Sequence, residues 1–263
     1  MALTIIAGPC VIEQDGAWLS DIALTLQDIW ADYAPEGSSL VIKSSWDKAN
    51  RSTLSGFRGI GLWDGLQSLY RAKEETGLST LTDVHRVKHV ETCAAYVDVI
   101  QIPAFLARQT DLVVAAAQTG KRVAIKIPPW AGVAEATAIR YKYDNAVDLP
   151  REPWMIYRGT AIPDCGAPFN QDIFDDMKET EALRPFFLDV THSNGGDTYS
   201  SVSLALQAAP YVQGLFMEVH PNPRKALCDS KHQLDYEQFK TIMMLLKYQD
   251  DLRTSSAEFG PHK

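Results

Sequence analysis

Residues 98–126 read DVIQIPAFLARQTDLVVAAAQTGKRVAIK, and the hydrophobic period changes twice within them. DVIQI is a short apolar run with β-branched residues, the signature of a buried strand. The stretch AFLARQTDLVVAAAQTG that follows repeats its apolar residues at helical spacing, and RVAIK returns to strand character. Two buried strands joined by a helix cannot pair as a hairpin. They form a βαβ unit with parallel strands.

The same alternation extends in both directions. Apolar runs recur as LTIIA, SLVIK, STLTD, WMIYR, FFLDV and GLFMEV, which brings the total to eight. Helical spacing lies between most of them, as in WLSDIALTLQDIWADY, GLWDGLQSLYRAKEET and SVSLALQAAPYV, and the last strand is followed by YEQFKTIMMLLKYQDDL. Eight strand–helix units in 263 residues predict a single (β/α)8 TIM barrel of class α/β spanning residues 1–263. A doubly wound open sheet is the competitor. The turn after its first strand would carry G-x-G-x-x-G when it binds a dinucleotide, and IIAGPCVIEQDG does not match.

Composition narrows the function. Hydrophobic residues make up 46% and charged residues 22%, enough to bury a core and keep a folded chain in solution. The formal net charge of −8 argues against a nucleic-acid partner. There is no run of about 18 apolar residues, so no membrane span is expected. The cysteines at 10, 93, 165 and 228 show neither C-x-x-C nor disulfide-framework spacing. Reduced thiols and a cytoplasmic location are the expectation.

In a barrel the chemistry gathers at the C-terminal strand ends. In order, these carry Cys10, Lys43, Asp83 with His85, Gln101, Lys126, Arg158, His192, and Glu218 with His220. Lys43, Lys126 and Arg158 would converge at the mouth, with Lys48 and Arg51 on the loop after the second strand. Such a cluster expects phosphate or carboxylate ligands, or else ion pairs with loop carboxylates. Cys10, His192, Glu218 and Asp229 meet when the barrel closes, and that donor set suits Zn, Mn or Fe rather than Mg or Ca. From the residues alone a small buried cysteine and a hydrogen-bonded histidine are the more ordinary reading of such positions. His89, His232 and His262 match no motif and read as surface residues.

The segments IAGPCVIE, KSSWDKANRST, DVIQIPAFLARQTDL, DVTH and GLFMEVHPNPRKALCD resemble the signature segments of the 3-deoxy-D-manno-octulosonate 8-phosphate synthases, in family order along the chain. The resemblance implies a homotetrameric (β/α)8 barrel that condenses phosphoenolpyruvate with arabinose 5-phosphate and releases phosphate. The enol C3 attacks the aldehyde, water adds to C2, and phosphate leaves by C–O cleavage. It also implies roles. Lys126 and Arg158 hold the phosphate of phosphoenolpyruvate, with Lys43, Lys48 and Gln101 around its carboxylate and reacting carbons. Asp83 belongs with these substrate-binding residues, and Lys48, Lys126 and His192 are the catalytic set. Asn50, Arg51 and Ser52 bind the aldose phosphate, helped by Arg108 from a neighbouring subunit. Cys10 marks the metal-dependent members, with His192, Glu218 and Asp229 as the other ligands of a divalent Mn, Zn or Fe ion.

The chain departs from that pattern in places. YRGTAIPDCGAPFNQD lacks the Phe-Gly-Tyr run after the strand-six arginine, and SNGGDTYSSVS replaces a longer basic loop after His192. KIPPW replaces the second lysine and the glutamine after Lys126, and Ser230 stands for a glycine. These loops would cover the acceptor, so another phosphorylated aldose is an alternative to arabinose 5-phosphate. The related 3-deoxy-heptulosonate 7-phosphate synthases carry Pro-Arg where this chain has ANRS. A reading of another class is a catalytically silent barrel that binds a sugar phosphate or a metal in a regulatory role.

Overall fold

Each of the eight expected runs is a strand in the computed structural model, and each pairs in parallel with its sequence neighbours. The structure describes residues 2–51, 53–148, 150–162 and 166–258. In chain order the elements are β1 (Thr4–Gly8), α1 (Trp18–Tyr33), β2 (Ser39–Lys43), α2 (Leu62–Thr76), β3 (Ser79–Asp83), α3 (Val87–Tyr96), β4 (Val99–Ile102), α4 (Thr110–Gln118), β5 (Arg122–Lys126), α5 (Val133–Asp144), β6 (Trp154–Tyr157), α6 (Gln171–Glu179), β7 (Phe186–Asp189), α7 (Thr198–Ala208), β8 (Gly214–Glu218) and α8 (Tyr236–Glu258). β8 pairs with β1, from Thr4↔Gly214 to Gly8↔Glu218, and closes a (β/α)8 barrel. Among the described residues no helix is long and apolar enough to cross a membrane.

The strand period of two divides each strand between two cores. Ile6, Val41, Leu81, Val99, Ala124, Ile156, Phe187 and Phe216, one from each strand, fill the barrel interior. Their strand neighbours, such as Ile5, Ala7, Ile42 and Leu215, face the helices in a larger cluster with Leu19, Leu66, Val113 and Phe239. Stepping two residues along from each interior residue reaches Gly8, Lys43, Asp83, Gln101, Lys126, Arg158, Asp189 and Glu218. The sheet's pleat therefore aims one residue per strand at the mouth, above a dry apolar plug.

Two local features shape that mouth. The expected helix over 104–120 is split into a 3-10 turn, Ala104–Leu106, and α4, because Gln109 between them takes an extended conformation. This leaves Ala104 and Phe105 at the cavity rather than on a helix surface. Gly8 has φ of 145°, and a Cβ there would lie 2.1 Å from the Lys43 carbonyl oxygen. Gly8→Ala therefore combines a disfavoured backbone with a backbone clash, and is expected to cost about 2–3 kcal/mol in chemical unfolding. A loss below about 0.5 kcal/mol would contradict that packing.

Candidate active site

The strand ends and the loops after β2, β4 and β8 enclose a cavity of about 300 Å³. Of the expected site residues, Lys48, Asn50, Arg51, Asp83, Gln101, Lys126, Arg158, His192, Glu218 and Asp229 line it. Lys43 and Cys10 lie just beneath, fully buried. Arg108 does not reach the cavity of its own chain, since its exposed guanidinium pairs with Glu135 at 3.0 Å. Ser52, Cys165 and His262 fall outside the described residues.

The lysines are all neutralised by protein carboxylates. Lys43 Nζ donates to Glu218 Oε1 at 2.6 Å and to the Cys10 carbonyl at 3.0 Å, so its charge is engaged below the floor. Lys48 Nζ donates to Asp83 Oδ2 at 3.0 Å, and Lys126 pairs with Asp189. Burial opposes the Lys48 ammonium, but Asp83, Cys10 and Glu218 outweigh it and raise its pKa well above the ordinary lysine value. For Lys126 burial prevails over Asp189, and its pKa is lowered. The open alternative of ion pairs thus holds for the lysines. It does not hold for the arginines. Among the described residues neither Arg51 nor Arg158 has a carboxylate partner; Arg158 lies over the Phe105 ring at 6.0 Å.

Asp83 faces the cavity with both oxygens already engaged. They accept from Lys48, from Ser45 Oγ at 2.7 Å and from Gln101 Nε2. Burial opposes its charge, yet Lys48 and Lys43 hold its pKa far below the usual carboxylate range. It fixes Lys48 and Gln101 in place, which leaves Gln101 Oε1 buried at the cavity wall with no partner among the described residues.

On the opposite side, Asp189 Oδ2 accepts from His192 Nδ1 at 2.7 Å. Burial raises the carboxyl pKa, but His192 and Lys126 outweigh it and Asp189 stays ionised. An ionised carboxylate only accepts, so Nδ1 carries the proton and Nε2 presents a lone pair. That nitrogen lies 4.0 Å from Glu218 Oε2 and 4.0 Å from Asp229 Oδ2. Glu218 Oε2 is buried and has no hydrogen-bond partner among the described residues, an arrangement that a cation would satisfy. Cys10 Sγ approaches Asp229 Oδ2 at 3.1 Å. Asp229 has φ of 49°, a left-handed conformation unusual outside glycine. These donors fit a divalent transition ion, in two clusters that share Asp229, His192–Glu218–Asp229 and Cys10–Cys228–Asp229, and within each cluster the ligating atoms lie within 4.8 Å of one another.

Asp189, buried beneath the cavity, and Cys228 and His232, which line it, escaped the sequence reading. Asp189 is in frame with Phe187 and could have been found by counting in twos. Cys228 and His232 sit on the irregular loop after β8, where no period applies. His232 was expected at the surface, but it stacks on His192 with ring centroids 5.6 Å apart and lines the cavity.

Comparison with known proteins agrees with this geometry. The chain matches the DAHP synthetase I family over residues 1–254. It is 38% identical over 269 residues to a 2-dehydro-3-deoxyphosphooctonate aldolase of Geotalea uraniireducens, covering 93% of this chain and 91% of that protein. A protein of the same name from Syntrophotalea carbinolica is 38% identical over 260 residues, covering 92% and 88%. One from Cupriavidus necator is 37% identical over 264 residues, covering 94% and 89%. With a barrel whose eight strands aim this set of residues at one mouth, and a match along nearly its whole length, the chain belongs to the DAHP synthetase I family.

Proposed function

We propose that this chain condenses phosphoenolpyruvate with a phosphorylated aldose, giving a 3-deoxy-2-ulosonate phosphate and inorganic phosphate. The observation that carries this reading is the pair of guanidinium groups that have no carboxylate partner among the described residues. Arg158 stands at the end of β6 and Arg51 on the loop after β2, across the barrel from each other, in one cavity. Two such cations at opposite walls suit two anionic groups held apart, with the reacting carbons between them. The relatives' name supports a five-carbon acceptor, because an eight-carbon acid is the sum of a three-carbon enol and a pentose.

In this reading Arg158, with Lys126, binds the phosphate of phosphoenolpyruvate, and Asn50 and Arg51 bind the acceptor phosphate. The C3 carbon of the enol bonds to the aldehyde carbon, and the aldehyde oxygen takes a proton. Water adds at C2, and phosphate leaves with cleavage of its bond to C2. Lys48 is held charged by Asp83, so it serves as a fixed hydrogen-bond donor to developing negative charge rather than as a base. His192 is held by Asp189 with Nε2 turned toward Glu218 and Asp229. A divalent ion held by Cys10, His192, Glu218 and Asp229 would supply Lewis acidity to a substrate oxygen.

The test is phosphate release by metal-stripped protein given phosphoenolpyruvate and a panel of phosphorylated aldoses, beginning with arabinose 5-phosphate, with and without added Zn²⁺ or Mn²⁺. Metal-dependent release with at least one sugar is expected; none with any of them would sink the proposal and favour a silent barrel. Arg158→Ala should raise KM for phosphoenolpyruvate and Arg51→Ala that for the sugar, each by about 10- to 150-fold, the equivalent of about 1.5–3 kcal/mol for a lost charge-assisted contact. Equal effects of both variants on both substrates would contradict the assignment of the two walls.

A further inference from the structure

Cys228 stands outside the four-ligand set that the family resemblance implies, yet it is built into the same place. Its side chain is buried, and its Sγ lies 2.9 Å from Cys10 Sγ and 3.4 Å from Asp229 Oδ2. Asp229 Oδ2 is the atom common to both donor clusters, because it also faces His192 Nε2. The two cysteines come from opposite ends of the chain, and one side chain holds both. Gln233 Oε1 accepts from the Cys10 backbone N–H at 3.0 Å, and its Nε2 donates to the Cys228 carbonyl at 2.7 Å. Gln233 is itself buried, so this clamp holds the backbones of Cys10 and Cys228 side by side and lets their side chains turn toward a common point. Beside them, Glu218 Oε2, buried and without a hydrogen-bond partner among the described residues, independently calls for a cation.

We propose that Cys228 is a metal ligand, so that the ion in this chain is bound by two thiolates, from Cys10 and Cys228, together with His192, Glu218 and Asp229. Arg51 Nη1 donates to Cys228 Sγ at 2.7 Å and is the outer partner of that thiolate. The same guanidinium lines the cavity, so the metal's sulfur shell is joined to the acceptor wall. Two soft donors favour Zn²⁺ or Fe²⁺ over Mn²⁺ more strongly than one does. Each thiol loses its proton to solvent as its bond to the ion forms. The inference rests on the mouth holding a divalent ion and does not depend on which substrates it takes.

The experiment is X-ray absorption at the zinc edge of the full-length protein, reduced, stripped and reloaded with Zn²⁺. Two sulfur neighbours at about 2.3 Å are expected, and one in Cys228→Ser. With Co²⁺ in place of Zn²⁺, the thiolate-to-cobalt charge-transfer absorption should fall by about half in Cys228→Ser. A single sulfur in the unmodified protein, no bound zinc, or an absorption unchanged by Cys228→Ser overturns the proposal. If Cys228→Ser does not fold, the sulfur count of the unmodified protein decides alone. Phosphate release on the same zinc-loaded sample separates the two readings: two sulfurs without turnover keeps this inference and removes the condensation, and one sulfur with turnover does the reverse.

Discussion

Asp189→Asn is expected to weaken Zn²⁺ binding by about 10- to 100-fold and to lower turnover by about 10³-fold or more, although the side chain keeps its shape. The reason is the number of donors that converge on one buried carboxylate. Oδ1 accepts from Thr191 N at 3.1 Å, Thr191 Oγ1 at 2.9 Å and His192 N at 2.9 Å. Oδ2 accepts from His192 Nδ1 and from Lys126. An asparagine has one accepting oxygen and an amide that donates. With the oxygen kept on the three donors of the turn, the amide faces His192 and Lys126. It then favours the histidine tautomer with Nδ1 as acceptor, which puts the proton on Nε2 and removes the lone pair offered to the ion. Lys126 is left buried without its counter-charge. Competition titration with a zinc chelator reads the first effect, and single-turnover phosphate release the second. Zinc affinity within about threefold of the unmodified protein would mean that Asp189 does not set the tautomer.

How far the sequence could be read follows from the strand period. Each mouth residue in frame with an interior residue is reachable by counting, and Lys43, Asp83, Gln101, Lys126, Arg158 and Glu218 are all expected at strand ends because they close the apolar runs. On β1 and β7 the in-frame residues are Gly8 and Asp189, while the reactive residues Cys10 and His192 lie two and three positions beyond. Attention to reactivity found the latter pair and passed over Asp189. What counting cannot give is pairing across the barrel. Lys43 reads as one more cation facing a ligand, but closure sets it beside Glu218, 175 residues away, and its charge is used there. The loop after β8 has no period at all. The contact of Cys228 with Cys10 spans 218 residues and exists only because β8 pairs with β1.

The buried pair of Lys43 and Glu218 carries the other large expectation. Glu218→Gln should destabilise the protein by about 3–5 kcal/mol, because it leaves an ammonium in the barrel without its counter-charge. Lys43 and Glu218 side chains are 1% and 2% exposed, so water cannot take over the lost role. Burial opposes the Glu218 carboxylate, and Lys43 is the foremost group that overcomes it, holding its pKa below the ordinary value. A domain of this size should lose about 6–15 °C in thermal unfolding of the metal-free protein. The double variant Lys43→Met, Glu218→Leu tests why the pair is there. Replacing a buried ion pair by apolar groups of similar volume is often neutral for stability, so the double variant should recover most of the loss while binding no zinc with useful affinity. That outcome would mean the pair serves to aim Glu218 Oε2 into the mouth, with Oε1 held by the lysine, rather than to hold the barrel together. A Glu218→Gln protein that melts within about 2 °C of the unmodified chain would show instead that Lys43 finds enough support in the Cys10 and Pro9 carbonyls alone.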